Sequence, residues 1–431
     1  MSMSDKYDFD YFDSNEYRRR QPQRRQNTYN RTAYDKKVYR SGRRPQNHRP
    51  SGRPPRRNNK RLKNRIIIVT VGILIMIALI VIIVSAFNAC AKIGKNEDVS
   101  TETTSASSVA ATETVQDSTD PLSASYFITP QIEDDGTSGY INYAAYIWNK
   151  SAYEIFGNVD GRAQVYAEAV NNYKKTLGEN ITVYDMVVPN HTEMGLPERL
   201  KTEVSSDSQA ENIRQIYSFL DKSVTPINAY NKLAQHNNEY IYFKSDHHWT
   251  GLGAYYAYSA FAETTNQPVL DLSTCTENQI AGFTGSFSET NEGLDTDTVS
   301  YWTFPYNVTM DVTDFNGETL TYESPYYEYA QAGSDTYGLF IVGDNPLTVL
   351  HSDSEYGTDK KIAVVKESYG NSFVPYLTYN YSEVHIIDFR HFGSKLPAYC
   401  AENGIDEVLF LNGVMSANTQ VQIDSMDSLF T

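Results

Sequence analysis

The sequence predicts an α/β domain that follows a single membrane-spanning helix. Three short apolar runs, separated by segments long enough for helices, indicate a parallel sheet covered by helices; they occupy residues 361–365, 384–387 and 408–411. Residues 66–87 form an apolar stretch of 22 positions without a charged side chain. At ~1.5 Å of rise per residue, such a helix is about 33 Å long and crosses a bilayer. It begins too far from the N-terminus for a cleaved signal peptide, so we expect a permanent anchor.

Charge is distributed unequally on the two sides of this apolar stretch. Residues 1–65 contain 20 Lys and Arg against 6 Asp and Glu, a net charge of +14, whereas the rest of the chain carries −30. Cytoplasmic flanks of membrane helices are rich in Lys and Arg. We therefore expect a single-pass protein of the cell membrane, with a cytoplasmic N-terminus and an extracytoplasmic C-terminal domain.

The segments around the anchor have compositions that do not build a core. Residues 1–65 are rich in Arg, Asn, Gln, Tyr and Pro without apolar periodicity, which predicts a disordered basic tail. Binding to nucleic acid is one interpretation of this tail, but attraction to anionic membrane lipid is favoured, so we expect no nucleic-acid partner. Residues 88–125 are dominated by Ser, Thr, Ala and acidic residues, which predicts a flexible linker. One large domain, residues 126–431, remains.

Cysteine is scarce in this domain. It contains Cys275 and Cys400, which allow one disulfide but no cysteine-based metal cluster. We expect neither a metal nor a cofactor.

Apolar periodicity alternates between helix and strand in the first half of the domain. It predicts a helix over residues 165–177, a strand over 181–188, and a second helix after a Ser-Asp-Ser capping cluster at 206–208. The helix residues expected to be apolar and inward-facing are Val165, Ala169, Val170, Tyr173, Leu177, Ile213, Ile216, Tyr217 and Leu220.

The segments on either side of residues 246–249 are predicted to be a short strand and a helix. Residues 240–243 predict a short strand, and Thr250 is placed to cap a helix over 252–263. Residues 275–335 are turn-rich, aromatic and acidic, which indicates an excursion of loops and short strands.

Asp246-His247-His248-Trp249 and Ser368 are the residues that most strongly indicate chemistry. Two histidines stand beside a carboxylate just before a predicted helix, and Ser368 follows the apolar run 361–365 by three residues. In an extended segment Asp246 and His248 leave the same face, so Asp246 can orient His248 while the other ring nitrogen reaches Ser368. A base, a group that orients it and a hydroxyl nucleophile are what serine-type acyl transfer requires.

Other interpretations of these residues remain open. Ser368 can be a helix cap, and the two histidines can be strand-end residues that bond to the backbone. In the extended segment His247 points the opposite way and is expected to be structural. Asp246, His247 and His248 can also bind a metal together with distant ligands, but no metal-ligand spacing elsewhere in the sequence supports this.

The residues from Ser245 to Thr250 resemble the signature of the DHHW family of bacterial membrane-anchored proteins, which is similar to the SGNH-hydrolase-like proteins of alginate O-acetylation. The resemblance continues, in the family's order, over residues 187–189, 337–345, 367–375 and 387–390. It implies a flavodoxin-like three-layer α/β/α domain with a permuted motif order, in which the Asp-x-His element precedes the serine. It also implies catalytic roles for Asp246, His248 and Ser368.

Two departures from the family pattern bear on the surrounding residues. Glu367 stands where an aspartate is expected before the serine, and residues 343–345 are Gly-Asp-Asn rather than Gly-Gly-Asn. The resemblance implies that the amide of Asn345 contributes to an oxyanion hole, whereas an asparagine in a turn before a proline is the equal alternative. The turn that begins at Tyr369 can aim backbone N–H groups at an oxyanion, which makes Tyr369 a candidate oxyanion or substrate residue.

Arg390 is the last candidate. It can clamp an anionic group of a sugar, or simply pair with an acidic neighbour in this acidic part of the chain.

Two functions from different classes fit the sequence. The first is an extracytoplasmic O-acetyltransferase or acetylesterase that acts on a cell-envelope or exported polysaccharide, assisted by an acetyl-donating membrane protein. The second is a non-catalytic envelope protein that binds glycan or a partner through its many aromatic side chains and retains an inactive triad. A metal-dependent phosphoesterase is a third and weaker alternative.

Overall fold

The computed structural model describes residues 126–143 and 145–430. The predicted tail (1–65), membrane helix (66–87) and linker (88–125) therefore lie outside the described residues. Within the part of the chain that is described, none of the helices is both long enough and apolar enough to cross a membrane.

The domain is a mixed α/β structure built on a large central sheet. This sheet has eight strands in the order β5-β4-β13-β11-β12-β10-β8-β9. The strands are β4 (Thr182–Val188), β5 (Val224–Pro226), β8 (Val308–Thr313), β9 (Thr319–Tyr322), β10 (Leu347–Ser352), β11 (Thr358–Lys366), β12 (Tyr381–Asp388) and β13 (Glu407–Gly413). The three apolar runs that predicted a parallel sheet are β11, β12 and β13, and they do lie side by side in parallel.

Five of the eight strands form a parallel block: β5, β4, β13, β11 and β12 run in one direction. Strand β10 pairs with β12 in antiparallel fashion, and β8 and β9 continue the sheet as further antiparallel pairs. Residues 275–335 were expected to be an excursion from the sheet, and this was wrong for β8 and β9. Buried and half-buried side chains alternate along β8, which suits a strand with one face covered, whereas the edge strand β9 is mostly exposed.

Two smaller sheets accompany the central one. The first is an antiparallel sheet of β1 (Tyr140–Asn142), β2 (Ala145–Trp148) and β3 (Ser151–Glu154). The second is a hairpin-like pair of β6 (Thr276–Phe283) and β7 (Asp297–Thr303).

Helices cover both faces of the central sheet. They are α1 (Arg162–Leu177), α2 (His191–Gly195), α3 (Glu198–Glu203), α4 (Gln209–Phe219), α5 (Ala229–Gln235), α6 (Gly251–Thr264), α7 (Val374–Leu377), α8 (Leu396–Asn403), α9 (Val414–Ala417) and α10 (Gln420–Asp427). Helix α1 packs against α4, α8, α9 and α10, whereas α6 packs against α5 and α7. Successive residues of β4 reach these two groups: Tyr184 contacts Phe261 of α6, and Asp185 accepts a hydrogen bond from Tyr166 of α1. Since side chains alternate across a strand, the two groups lie on opposite faces.

Local capping signals predicted the helix starts well. Ser208 caps α4 by accepting a hydrogen bond from the N–H of Glu211, and Thr250 caps α6 by accepting one from Gly253. The expected inward position of Val165 was wrong, because its side chain is 39% exposed on α1. The apolar stripe along the whole helix determines which face is buried, and a single apolar residue outside that stripe stays exposed.

The expected strand over residues 240–243 was wrong, because only a single bridge joins Tyr242 to Trp249 where the chain folds back on itself. The sequence left open whether Cys275 and Cys400 pair, and both are free thiols in the structure.

A buried carboxyl in β4 generates a stability prediction. Asp185 is fully buried, and its Oδ2 has no hydrogen-bond partner among the described residues. Burial raises the pKa of Asp185 to about 7, against a lowering by the Tyr166 hydroxyl. Between pH 4 and pH 7 the unfolded chain releases this proton while the folded chain keeps it, so stability falls as pH rises.

Asp185→Asn removes this titration. We compare the free energy of unfolding of the variant with that of wild type at pH 5 and at pH 8. The difference should shift in favour of the variant by about 2–3 kcal/mol at the higher pH, since one pKa unit is worth about 1.4 kcal/mol. Urea unfolding at both pH values measures the change. Asp160→Asn, at an exposed position, is the control. Its free energy of unfolding should differ from that of wild type by the same amount at both pH values.

Candidate active site

Ser368 lies at the carboxyl edge of the parallel strands. Strand β11 ends at Lys366, and Ser368 begins a 3-10 turn that extends to Ser372. The Glu367 side chain caps this turn by accepting a hydrogen bond from the N–H of Tyr369. Reactive groups of open α/β sheets gather beyond the carboxyl ends of the strands, and Ser368 follows this rule.

The histidine motif is a tight loop rather than an extended segment. Oδ1 of Asp246 accepts hydrogen bonds from both the backbone N–H of His248, at 3.0 Å, and its ring Nδ1, at 2.6 Å. The prediction that Asp246 contacts His248 agrees with the structure, but the reason given for it was wrong. A turn, in which an aspartate bonds to the backbone two residues ahead, brings the side chains together.

The structure brings Asp246, His248 and Ser368 together across 120 residues of sequence. Nε2 of His248 lies 2.8 Å from Oγ of Ser368, and the other ring nitrogen lies against Asp246. All three residues are buried, with 5%, 5% and 7% of their surfaces exposed. A proton on Nδ1 shared with Asp246 leaves Nε2 as an acceptor for the serine proton.

Asp246 is held as a carboxylate. Its Oδ2 accepts a hydrogen bond from the backbone N–H of Ser286 at 2.8 Å. Burial alone would raise the pKa of Asp246, but His247, His248 and the hydrogen bonds from His248 and Ser286 hold it well below the usual carboxyl range. Asp246 is therefore ionised in the folded protein at neutral pH.

Gly285 makes this hydrogen bond possible. A Cβ atom at Gly285 would lie 2.2 Å from Cβ of Asp246 and 2.7 Å from its Oδ2. The loop can therefore approach Asp246 only because residue 285 has no side chain. Sequence reasoning missed both Gly285 and Ser286, because nothing in the local sequence indicates which loop will cover Asp246.

Aromatic residues link the two motifs. Tyr337 stacks on the ring of His248, with centroids 4.0 Å apart, and its hydroxyl donates to the carbonyl of Ser368. Nε1 of Trp249 donates to the carbonyl of Tyr369 at 2.9 Å, and the Tyr369 hydroxyl donates to the carbonyl of His247 at 2.5 Å. The backbone N–H of Tyr369 donates to Glu367, so this N–H and the hydroxyl both have structural partners rather than facing an oxyanion.

Arg390 belongs to a group of four charges beside the nucleophile turn, of which Lys366 and Asp388 are fully buried and Asp344 and Arg390 are partly exposed. Its guanidinium pairs with Asp388 at 2.6 Å and with Asp344 at 2.9 Å. Lys366 is 0% exposed and pairs with the same two carboxylates at 3.0 and 3.3 Å. The structure therefore has Arg390 paired with acidic neighbours rather than extended to clamp a substrate. Sequence analysis missed Lys366, since a lysine at a strand end is ordinarily exposed.

Asn345 lies in the turn before Pro346. Its side-chain amide donates to the carbonyl of Val342 at 3.1 Å, which is the turn alternative rather than an oxyanion donor. Ile341, Val342 and Gly343 have φ of 49°, 62° and 75°. Two β-branched residues in the left-handed region are strained, and such strain occurs where a fold fixes a particular backbone position.

This turn places Asp344 rather than Asn345 beside the nucleophile turn. Oδ1 of Asp344 accepts a hydrogen bond from the amide of Asn371 at 2.9 Å.

His247 lies on the same side of the loop as His248, contrary to the expected opposite orientation. The two rings are 3.9 Å apart, and Nδ1 of His247 is 2.9 Å from the hydroxyl of Ser286. Burial and the neighbouring His248 lower the pKa of His247, which keeps it neutral near pH 7.

Asp246, His247 and His248 can present three ligand atoms within 4.8 Å of one another. Both ring nitrogens of His248 are already used by Asp246 and Ser368, so a metal here would compete with the hydrogen bonds of the triad.

Comparisons with known proteins by sequence and by structure both indicate the DHHW family. A model of the DHHW protein family matches residues 132–387. A crystal structure of a DHHW family protein from Eubacterium siraeum is similar, with 30% identity and a TM-score of 0.61, over 68% of this chain and 98% of that one. Bacillus cereus PatB1 with a sulfonyl adduct is similar in fold, with 20% identity and a TM-score of 0.55, over 66% of this chain and 98% of that one.

A more distant similarity is to the O-acetyltransferase domain of Pseudomonas putida AlgJ, with 12% identity and a TM-score of 0.39, over 66% of this chain and 99% of that one. That value is too low to bear on function. The comparison with curated proteins found no match.

The contact between Gly285 and Asp246 is testable without a substrate. Gly285→Ala should lower the free energy of unfolding by about 1–3 kcal/mol, as overpacking in a tight site does, and should displace Asp246. Gly393→Ala is the matched control, because a Cβ there meets nothing within 4 Å. Chemical denaturation of both variants gives the comparison, and equal stabilities would contradict the contact.

Proposed function

Since the chain belongs to the DHHW family, we propose that its C-terminal domain is a serine-dependent O-acetyltransferase or acetylesterase that acts on a cell-envelope or exported polysaccharide. The observation that carries this proposal is the continuous hydrogen-bonded chain from Asp246 through His248 to Ser368. We also propose that the domain is flavodoxin-like and similar to SGNH hydrolases, with the Asp-x-His element before the serine in the sequence.

The proposed reaction begins with attack of the Ser368 Oγ on an acetyl carbonyl. The serine proton passes to Nε2 of His248 as the new C–O bond forms, and Asp246 stabilises the resulting imidazolium. His248 then returns the proton to the leaving group when the donor bond breaks, which leaves acetyl-Ser368. In the second step a glycan hydroxyl attacks the acetyl carbonyl and gives its proton to Nε2 of His248. The bond between the acetyl group and Ser368 Oγ then breaks, and His248 returns the proton to Oγ. Water in place of the glycan hydroxyl gives acetate and completes hydrolysis.

The burial of the three residues supports this chemistry. A hydrogen bond between an ionised carboxylate and an imidazole is stronger away from water, which favours the imidazolium during attack. The sulfonyl adduct of PatB1 supports it as well, because sulfonyl reagents attach to activated nucleophiles. We propose that Ser368 is the group in this chain that takes such an adduct.

The proposed location outside the cytoplasm rests on the sequence. Residues 66–87 are proposed to anchor the protein in membrane lipid, with the basic residues 1–65 inside. The linker 88–125 then lets the domain reach a polysaccharide, and an acetyl-donating membrane protein is a proposed partner. Tethering raises the local concentration of substrate, so tight binding is not required.

Ser368→Ala tests the chemical part of the proposal. The purified domain, residues 126–431, should hydrolyse an activated acetyl ester and should become sulfonylated on Ser368 by a sulfonyl fluoride, as peptide mass spectrometry would show. We expect Ser368→Ala and His248→Ala each to lower kcat/KM by at least about a thousandfold, because members of such a unit act together. His247→Ala should cost about tenfold or less, since the proton passes through Nε2 of His248 and not through His247, which lies beside His248 and close to the Ser286 hydroxyl.

The other outcomes separate the alternatives. Equal ester hydrolysis by wild type and Ser368→Ala, with no sulfonylation, would indicate a non-catalytic glycan-binding protein. Activity that a chelator removes and a divalent metal restores would indicate a metal at Asp246, His247 and His248 and would contradict the serine mechanism.

Topology is tested separately. Protease added to intact protoplasts should digest the domain that follows residue 87, because the basic residues precede the anchor. Digestion only after lysis would place the domain in the cytoplasm, and an envelope polysaccharide would then be excluded as substrate.

A further inference from the structure

Glu367 is a buried carboxylate in direct contact with the nucleophile. It is 1% exposed and lies between the end of β11 and Ser368. Its Oε1 accepts a hydrogen bond from the backbone N–H of Gly413 at 2.8 Å, and its Oε2 accepts one from the N–H of Tyr369 at 3.0 Å. The hydroxyl of Ser368 also reaches Oε2, at 3.2 Å.

The two backbone contacts fix the turn that carries the serine. Gly413 is the last residue of β13, which is the neighbour of β11 in the sheet. One carboxylate therefore connects the nucleophile turn to the adjacent strand, with one oxygen on each. Space there is limited, because a Cβ at Gly413 would lie 3.0 Å from the ring of Tyr369 and 3.3 Å from Oε1 of Glu367.

The third contact fixes the serine side chain. Oγ of Ser368 lies 2.8 Å from Nε2 of His248 and 3.2 Å from Oε2 of Glu367. The hydroxyl has one proton and two possible acceptors, and rotation about its C–O bond exchanges one for the other. Either hydrogen bond leaves Oγ at the same place, between Glu367 and Nε2 of His248.

The geometry points to Glu367 as a positioning residue that holds the Ser368 hydroxyl in attack position in front of His248. This inference rests on the proposed function, since it assigns how the same nucleophile is placed. The side chain of Glu367 bridges Tyr369 and Gly413 with separate oxygens.

Glu367→Gln tests the inference, because the amide has one acceptor oxygen in place of two. The amide oxygen can accept from the N–H of Tyr369 or from the N–H of Gly413, and the NH₂ group that replaces the second oxygen cannot accept from the other. The turn that carries Ser368 should therefore lose one of its two fixed contacts, and the serine its fixed position. We expect kcat for an activated acetyl ester to fall about 10–100-fold with KM within about twofold, since a misplacement of about 1 Å costs about a hundredfold. The rate of inactivation by a sulfonyl fluoride should fall by the same factor.

Two further variants make the result specific. Glu367→Asp keeps both acceptor oxygens on a shorter side chain and should retain more activity than Glu367→Gln. Glu407→Gln is the matched control, because Glu407 is also buried in β13 and uses both oxygens, for Lys360 and Tyr381, at the far end of the strand. It should lower the melting temperature without changing kcat or the inactivation rate.

The outcomes are distinct. Wild-type kcat and inactivation rate in Glu367→Gln, a loss confined to KM, or an equal loss of kcat in Glu407→Gln would overturn the positioning role. Absence of both ester hydrolysis and sulfonylation in wild type would instead refute the proposed function, and the positioning role with it. If wild type is sulfonylated but hydrolyses no ester, the inactivation rates of the Glu367 variants still decide the inference.

Discussion

The hydrogen bonds between residues 247–249 and Tyr369 are the contacts on which the geometry of the site depends. They join two segments that are 120 residues apart, one in a loop before α6 and the other in the turn after β11. The bond from Trp249 is buried and the bond from the Tyr369 hydroxyl is partly buried. A buried polar group left without its partner costs about 1–3 kcal/mol. The chain can therefore satisfy Trp249 and Tyr369 only by docking the loop on the turn, and that docking brings Nε2 of His248 to Ser368.

The same site concentrates charge that the fold must neutralise. Two cations, Lys366 and Arg390, and two carboxylates, Asp344 and Asp388, form a group with no net charge beneath the nucleophile turn. Burying an ion is tolerated only when it is paired and hydrogen-bonded, and loss of one partner leaves a charge that cannot be solvated. Gly370 is needed for this packing, since a Cβ there would lie 2.7–3.0 Å from the Lys366 side chain. Lys366 and Asp344 also bond to Asn371, so the charged group contacts and supports the nucleophile turn.

The sequence predicted the features that depend on local signals. Strands β11, β12 and β13, the caps at Ser208 and Thr250, and the family relationship all follow from short patterns. The contact among Asp246, His248 and Ser368 could be anticipated because two reactive motifs were present, although their catalytic roles remain a proposal. The anchor, tail and linker lie outside the described residues and stay predictions.

Long-range contacts explain what sequence reasoning did not reach. Arg390 pairs with Asp388, two residues earlier, and with Asp344, 46 residues earlier. No local pattern encodes the second of these contacts. The antiparallel edge formed by β8, β9 and β10 likewise depends on which strand each segment meets. Asn345 and Tyr369 were candidates for direct chemistry, yet the Asn345 amide bonds to Val342, and Tyr369 bonds to His247, Trp249 and Glu367.

The strained turn at residues 341–343 illustrates how this scaffold maintains its site. A β-branched residue with positive φ costs about 1–3 kcal/mol, so Ile341 and Val342 adopt this conformation only because surrounding contacts enforce it. The backbone N–H of Ile341 donates to the carbonyl of Pro325, and the carbonyl of Val342 accepts from Asn345. The result is that Asp344 faces Lys366 and Asn371. Strain in one turn is thus accepted in order to complete the neutral charged group, which in turn supports the residues on either side of Ser368.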